Sequence, residues 1–234
     1  MAEQAKFLEG SLFRHITVMS LTASVGLMAI FVVDFVDMIF ISMLGRAELA
    51  AAVGYAGAIL FFTTSFGIGM AIAAGALVAR ALGGGAGTRV RQQSGHALIY
   101  GIVFGTMFSL AVWLYLPELA ALMGASGETL ALAVAYLRII VPSLPLLMVG
   151  MIGGALLRAR GDARRAMMAT VWGGVVNAVL DPMLIFGLDL ELTGAALASV
   201  AARITIAAVA LLPLIKHHGG FERPRVRRLL ARLR

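Results

Sequence analysis

Residues 166–187 read AMMATVWGGVVNAVLDPMLIFG, and this stretch decides what kind of molecule the chain is. Its 22 residues contain one ionisable side chain, Asp181, and one carboxamide, Asn177; the rest are apolar, small or hydroxylic. About 20 mostly apolar residues suffice to cross a bilayer as a helix. The run is continuous and shows no period-2 alternation, which excludes a barrel strand. An acid inside such a segment is costly to bury in lipid, so Asp181 is a functional candidate from the outset.

Five further stretches have the same character: roughly 15–44, 50–79, 93–116, 130–157 and 193–215. Composition agrees, with 61% of the 234 side chains hydrophobic and only 13% charged, far from the balance of a soluble domain. The expected fold is an all-α membrane protein of six transmembrane helices, with residues 1–215 forming one lobe and 216–234 a basic tail. The first span starts too far in, and is too long, for a cleaved signal peptide. There is no cysteine, which excludes a disulfide framework or a Cys-based metal site, and four scattered histidines offer little for zinc.

The net charge of +7 is distributed by topology. Arg80, Arg89 and Arg91 lie in or beside the 2–3 connection, and Arg158, Arg160, Arg164 and Arg165 around the 4–5 connection. The tail adds Lys216, Arg223, Arg225, Arg227, Arg228, Arg232 and Arg234. The opposite connections hold Arg46 with Glu48, then Glu118 and Glu128, then Asp189 and Glu191. The positive-inside rule therefore predicts that both termini are cytoplasmic. Such a basic face suits lipid head groups; nucleic acid is not an expected partner. The run GGGAG at 83–87 lacks the Lys-Ser/Thr of a phosphate loop and reads as a turn. Gly101-xxx-Gly105 and Gly150-xxx-Gly154 fit close helix packing.

The informative residues are polar ones inside spans: Asp34 and Asp37 in the first, Asn177 and Asp181 in the fifth, Ser199 and Arg203 in the sixth. Asn177 and Asp181 are four apart and share a helix face. Asp37 lies about 22 residues into its span and Asp181 about 15, or roughly 33 and 22 Å, so the two acids meet if the first span tilts. Pro182 removes a donor to the carbonyl of Ala178 and is expected to kink the fifth span. Two carboxylates withdrawn from water and close together form a pair suited to taking up and releasing a proton. The plainer alternative puts Asp181 at a wet helix end and has Arg203 neutralise Asp34 or Asp37.

These residues resemble a known family, the multidrug and toxic compound extrusion (MATE) transporters. RARGDARRAMMATVWGGVVNAVLDPMLIFG at 158–187 looks like the family's Arg-x-x-Gly-Asp loop followed by the Asn-x-x-x-Asp-Pro segment of its fifth helix. GAALASVAAR at 194–203, AYLRIIVPSLP at 135–145 and FVDMIFISMLG at 35–45 resemble parts of its sixth, fourth and first helices. The resemblance runs from about residue 15 to 215 and implies the N-terminal six-helix lobe of a two-lobe transporter. It implies a cation-coupling site at Asp37, Asn177, Asp181 and Ser199; Asp34 and Arg203, read from their place inside the spans rather than from the resemblance, are candidate accessories or else packing and counter-ion residues. It also implies coupling to H+, or to Na+ held at the same residues, and no cofactor. Some family features are absent: Val33 stands where a polar residue or tyrosine is usual, the first-helix proline is missing near Thr22, and Met151 and Gly154 replace asparagines.

The function expected from this resemblance is secondary active multidrug efflux across a bacterial-type inner membrane, exporting amphipathic or cationic organic compounds. A homodimer or a second six-helix lobe would complete the transporter. The rivals are a non-transporting membrane subunit and a lipid-linked sugar flippase. An enzyme is not expected: no Ser-His-Asp set or His-Glu-x-x-His helix is present, and His15, His96, His217 and His218 lie near span ends.

Overall fold

The computed structural model describes residues 11–85 and 87–217. The last residues of the basic tail, including His218 and Arg223 to Arg234, lie outside them. Every described secondary-structure element is helical. In order these are α1 (Leu12–Met43), α2 (Ala47–Gly83), α3 (Gly87–Leu114), the short α4 (Leu116–Leu122), α5 (Gly127–Ile140), α6 (Leu144–Ala159), α7 (Ala163–Pro182) and α8 (Glu191–Lys216). Six stretches are long and apolar enough to cross a membrane, with α5 and α6 forming one span, Gly127–Ala159. Helix is the form that satisfies every backbone polar group within its own segment, as hydrocarbon requires. α4 was not legible as an element: it is seven residues long and carries Pro117 in its first turn.

The fourth span is the hub. Two thirds (67%) of its most apolar window is buried within the lobe, against 6% for the first span, which lies at the edge. The span packs against α2, α3, α7 and α8. No hydrophobic force drives helices together in lipid, so close approach depends on small residues. Gly101 and Gly105 of α3 lie against Ile152 and Met148 of α6, while Gly150 and Gly153 lie against Ile206 and Ala210 of α8. The Gly101/Gly105 pair read from the sequence thus serves packing within the lobe, as does Gly150, whereas its expected partner Gly154 meets only Arg158 of its own helix.

The hub is not one continuous α-helix. Pro142 and Pro145 lack the N–H groups that would bond the carbonyls of Arg138 and Val141, and a 3-10 turn at Val141–Ser143 separates α5 from α6. The Leu144 N–H reaches the Val141 carbonyl within the 3-10 turn, and side chains from one face of α3 add further donors. Ser109 Oγ donates to the Val141 carbonyl at 2.6 Å, and Trp113 Nε1 to that of Arg138 at 3.4 Å.

The Arg-x-x-Gly-Asp stretch closes one helix and opens the next. Asp162 N–H donates to the Leu157 carbonyl and Gly161 N–H to that of Arg158, both at 2.9 Å. This is a Schellman end, and it needs the left-handed backbone that Gly161 adopts at φ +77°. Asp162 then caps α7, its carboxylate accepting from the Arg165 N–H at 3.4 Å and pairing with the Arg165 guanidinium at 2.7 Å. At the other end, Arg46 does not pair with its neighbour Glu48. It reaches across to Glu128 at 2.8 Å and Glu191 at 3.2 Å, joining three inter-span connections.

Candidate functional site

α1 and α7 run side by side in parallel, and two contacts fix their register. Gly26 faces Thr170, and the Cα of Gly174 sits so close to Val33 that a Cβ there would lie 2.9 Å from its methyl group. Asp37 is one turn beyond Val33; Asn177 and Asp181 are about one and two turns beyond Gly174. Asp37 therefore falls between the levels of Asn177 and Asp181. The tilt expected of the first span is unnecessary, because in this register α1 begins about seven to ten residues, or roughly 10–15 Å, before the level at which α7 starts.

α8 closes the site from the other side, running antiparallel to α7. Gly173 is packed against Ile206, and Gly194 against the backbone of Leu184. Carrying that register along the pair places Ser199 beside the Val179–Leu180 level, just before Asp181. The fifth span does not end at Pro182. It continues into a π turn at Met183–Gly187, closed by the Leu188 N–H donating to the Met183 carbonyl at 3.0 Å. Such wider turns often sit beside functional residues.

Three of the four principal sequence-predicted residues are buried here: Asp37 is 9% exposed, Asn177 1% and Asp181 0%. Asp181 is therefore not at a wet helix end. The carboxyl groups of Asp37 and Asp181 interact across the α1–α7 contact. Even so, one oxygen of Asp37, both of Asp181 and both polar atoms of Asn177 are buried without a hydrogen-bond partner. Buried polar atoms are nearly always bonded, so five unpartnered ones on three adjacent side chains are exceptional. Ser199 is half-buried at the edge of this group.

The accessory candidates separate from it. Asp34 is exposed and feels both Asp37 and the charge of Arg203. Arg203 forms no ion pair with either acid among the described residues; its guanidinium instead donates to the Ile140 carbonyl at 3.1 Å and to Ser143 Oγ at 2.9 Å. It braces the break between α5 and α6.

Sequence reasoning missed Tyr136. This α5 side chain is only 6% exposed, and its hydroxyl interacts with Ser199 and lies within the electrostatic reach of Asp37, Asp181 and Arg203. The available signal was a phenol among apolar residues, six positions before Pro142, in a span whose interior position could not be read from the sequence.

A six-helix transmembrane lobe with a buried acid pair between its first and fifth spans defines a class of membrane transporters. The MatE family model matches residues 22–183, well over half of the chain, and the chain belongs to that family. Its members are transporters rather than enzymes. Among relatives, the chain is 28% identical to the FAD transporter of Shewanella oneidensis over 95% of this chain and 50% of that protein. It is 27% identical to the multidrug export protein MepA of Staphylococcus aureus over 92% of this chain and 48% of that one. Among solved structures, a MATE crystallised in a bent conformation superposes with a TM-score of 0.87 at 25% identity, covering 93% of this chain and 49% of that one. A transporter of the MOP superfamily from Pyrococcus furiosus, described as having a binding pocket of reversed polarity, superposes at 0.86 and 25% identity, over 96% and 49%. The chain thus spans about half the length of the relatives it matches.

Proposed function

We propose that this chain forms one six-helix lobe of a secondary active exporter that moves amphipathic, cationic organic compounds outward in exchange for an inward-moving cation. The observation that carries the reading is the buried group of unpartnered polar atoms on Asp37, Asn177 and Asp181. Two facing carboxylates in a dry bundle repel when both are charged and share a hydrogen bond when one carries a proton. Loading therefore draws α1 towards α7, and unloading drives them apart. A cation that binds one arrangement better than the other is what a two-state exchanger requires.

H+ is the preferred coupling ion in this account. A proton needs only the Asp37–Asp181 carboxylate pair, whereas Na+ requires most of the side-chain oxygens of Asp37, Asn177, Asp181, Ser199 and Tyr136 to converge on one point. The lobe lies in a bacterial-type inner membrane with its arginine-rich end and both termini in the cytoplasm. It works with a second six-helix lobe, either another copy or a separate segment. Similarity to the Shewanella protein favours a second reading, in which the cargo is an anionic flavin nucleotide.

Proteoliposomes containing the 234-residue chain, given first a pH gradient and then a sodium gradient, test the proposal with a fluorescent lipophilic cation and with FAD as cargoes. Gradient-driven movement of the dye, with cross-linked pairs of chains on the gel, is expected. Movement of FAD alone favours the second reading. No movement of either cargo from well-folded protein contradicts the chain's working as a paired half-size exporter.

A further inference from the structure

We propose that the cleft between the end of α2 and the start of α3 binds the headgroup of an anionic phospholipid. The cleft has a volume of about 320 Å³ and is lined by Leu77, Arg80, Ala81, Arg89 and Gln93. Both guanidiniums are exposed, and neither has a carboxylate partner among the described residues. Leu77 is 54% exposed and extends the cleft along the lipid-facing side of α2. The amide oxygen of Gln93 is buried there without a hydrogen-bond partner.

Each wall matches a part of one ligand. Arginine forks pair with phosphate oxygens in bidentate fashion, and two of them converge on one cleft. An acceptor without a partner fits a headgroup hydroxyl or ammonium next to the phosphate. An apolar flank leading into lipid fits the glycerol and upper acyl chain, which a free phosphate lacks. Depth agrees as well. In a bilayer-centred α2, Arg80 is 15 residues from the helix midpoint, or about 22 Å, which is the headgroup level of a membrane about 40–45 Å thick. Basic pockets between helices at that level suit anionic head groups. Nothing in this proposal depends on the Asp37–Asp181 pair, so its failure leaves the proposed transport standing.

Native mass spectrometry of the 234-residue chain, released from detergent with added phosphatidylglycerol or phosphatidylcholine, tests the assignment. Phosphatidylglycerol should be retained preferentially, with retention falling roughly tenfold in Arg80→Gln/Arg89→Gln. It should be unchanged in Arg164→Gln, an exposed arginine at the same end of the bundle, and unaffected by excess inorganic phosphate. Equal retention of the two lipids, or unchanged retention in the double variant, overturns the proposal. Displacement by inorganic phosphate also overturns it, by marking a free-anion site. If the double variant does not keep the wild-type melting profile, Gln93→Leu takes its place: weaker phosphatidylglycerol retention is expected, and unchanged retention overturns the proposal.

Discussion

Asp37 on α1 and Asp181 on α7 face each other inside the lobe, and three of their four carboxylate oxygens are buried without a hydrogen-bond partner. The neighbouring Asn177 contributes two more such atoms. A purely structural acid pair would be bonded to backbone donors or to a cation, and Arg203, the nearest candidate, is committed to the Ile140 carbonyl and Ser143. The arrangement is held by the α1–α7 register, and that register is the first thing to perturb.

Gly174→Val should separate the acids without touching either. Its Cβ would lie 2.9 Å from the Val33 methyl group, so that the Val33 side chain or α1 itself must shift. Overpacking of this kind costs about 1–3 kcal/mol. Both the melting temperature and gradient-driven efflux are expected to fall, and a second change, Val33→Ala, should restore them together. Wild-type efflux in the single variant would show that the register does not matter.

Ser109→Ala removes the side-chain donor that joins α3 to the Val141 carbonyl, the bond from Leu144 N–H remaining in place. Hydrogen bonds between membrane helices average about 0.6 kcal/mol, and the Val141 carbonyl keeps the Leu144 N–H as a partner when Ser109 is truncated. Because only this second bond between α3 and the break is lost, a decrease of about 0.5–1 kcal/mol is expected in chemical denaturation. Ser109→Thr should retain most of the stability. No difference between the Ala and Thr variants would mean that the bond from α3 adds nothing to the one from Leu144 N–H.

Arg46→Gln should matter far less. Its pairs with Glu128 and Glu191 join three connections, but the side chains are 43%, 61% and 42% exposed. Exposed pairs are worth about 0.2–1 kcal/mol each and are screened by salt. Melting temperatures of wild type and variant should differ slightly at low salt and converge at high salt. A large difference that persists at high salt would show that the pairs are effectively shielded from solvent.

How much of this could be read from the sequence depends on the range of the interaction. The six spans were legible because apolar runs of membrane length need no partner to be recognised. Asn177 and Asp181 were legible as a pair because a spacing of four places them on one helix face. Gly101 and Gly105 announced close packing, yet a glycine spacing cannot name the helix that fills it, here α6. The same limit hid Tyr136, whose meeting with Ser199 joins α5 to α8 across more than sixty residues. The break at Val141–Ser143 was not anticipated, although Pro142 and Pro145 carry its signal, and neither was its contact with Ser109 and Trp113. Asp37 was read at the wrong relative depth because the lengths of two spans do not determine how they are offset.

The most direct measurement is pH-gradient-driven efflux of a lipophilic cation from proteoliposomes by wild type and by Asp181→Asn, at matched insertion and matched melting temperature. The account predicts gradient-dependent efflux in the wild type and none in the variant, because the asparagine keeps the size of the side chain but cannot exchange a proton. An equally active Asp181→Asn protein would contradict the claim that the Asp37–Asp181 pair carries the coupling cation.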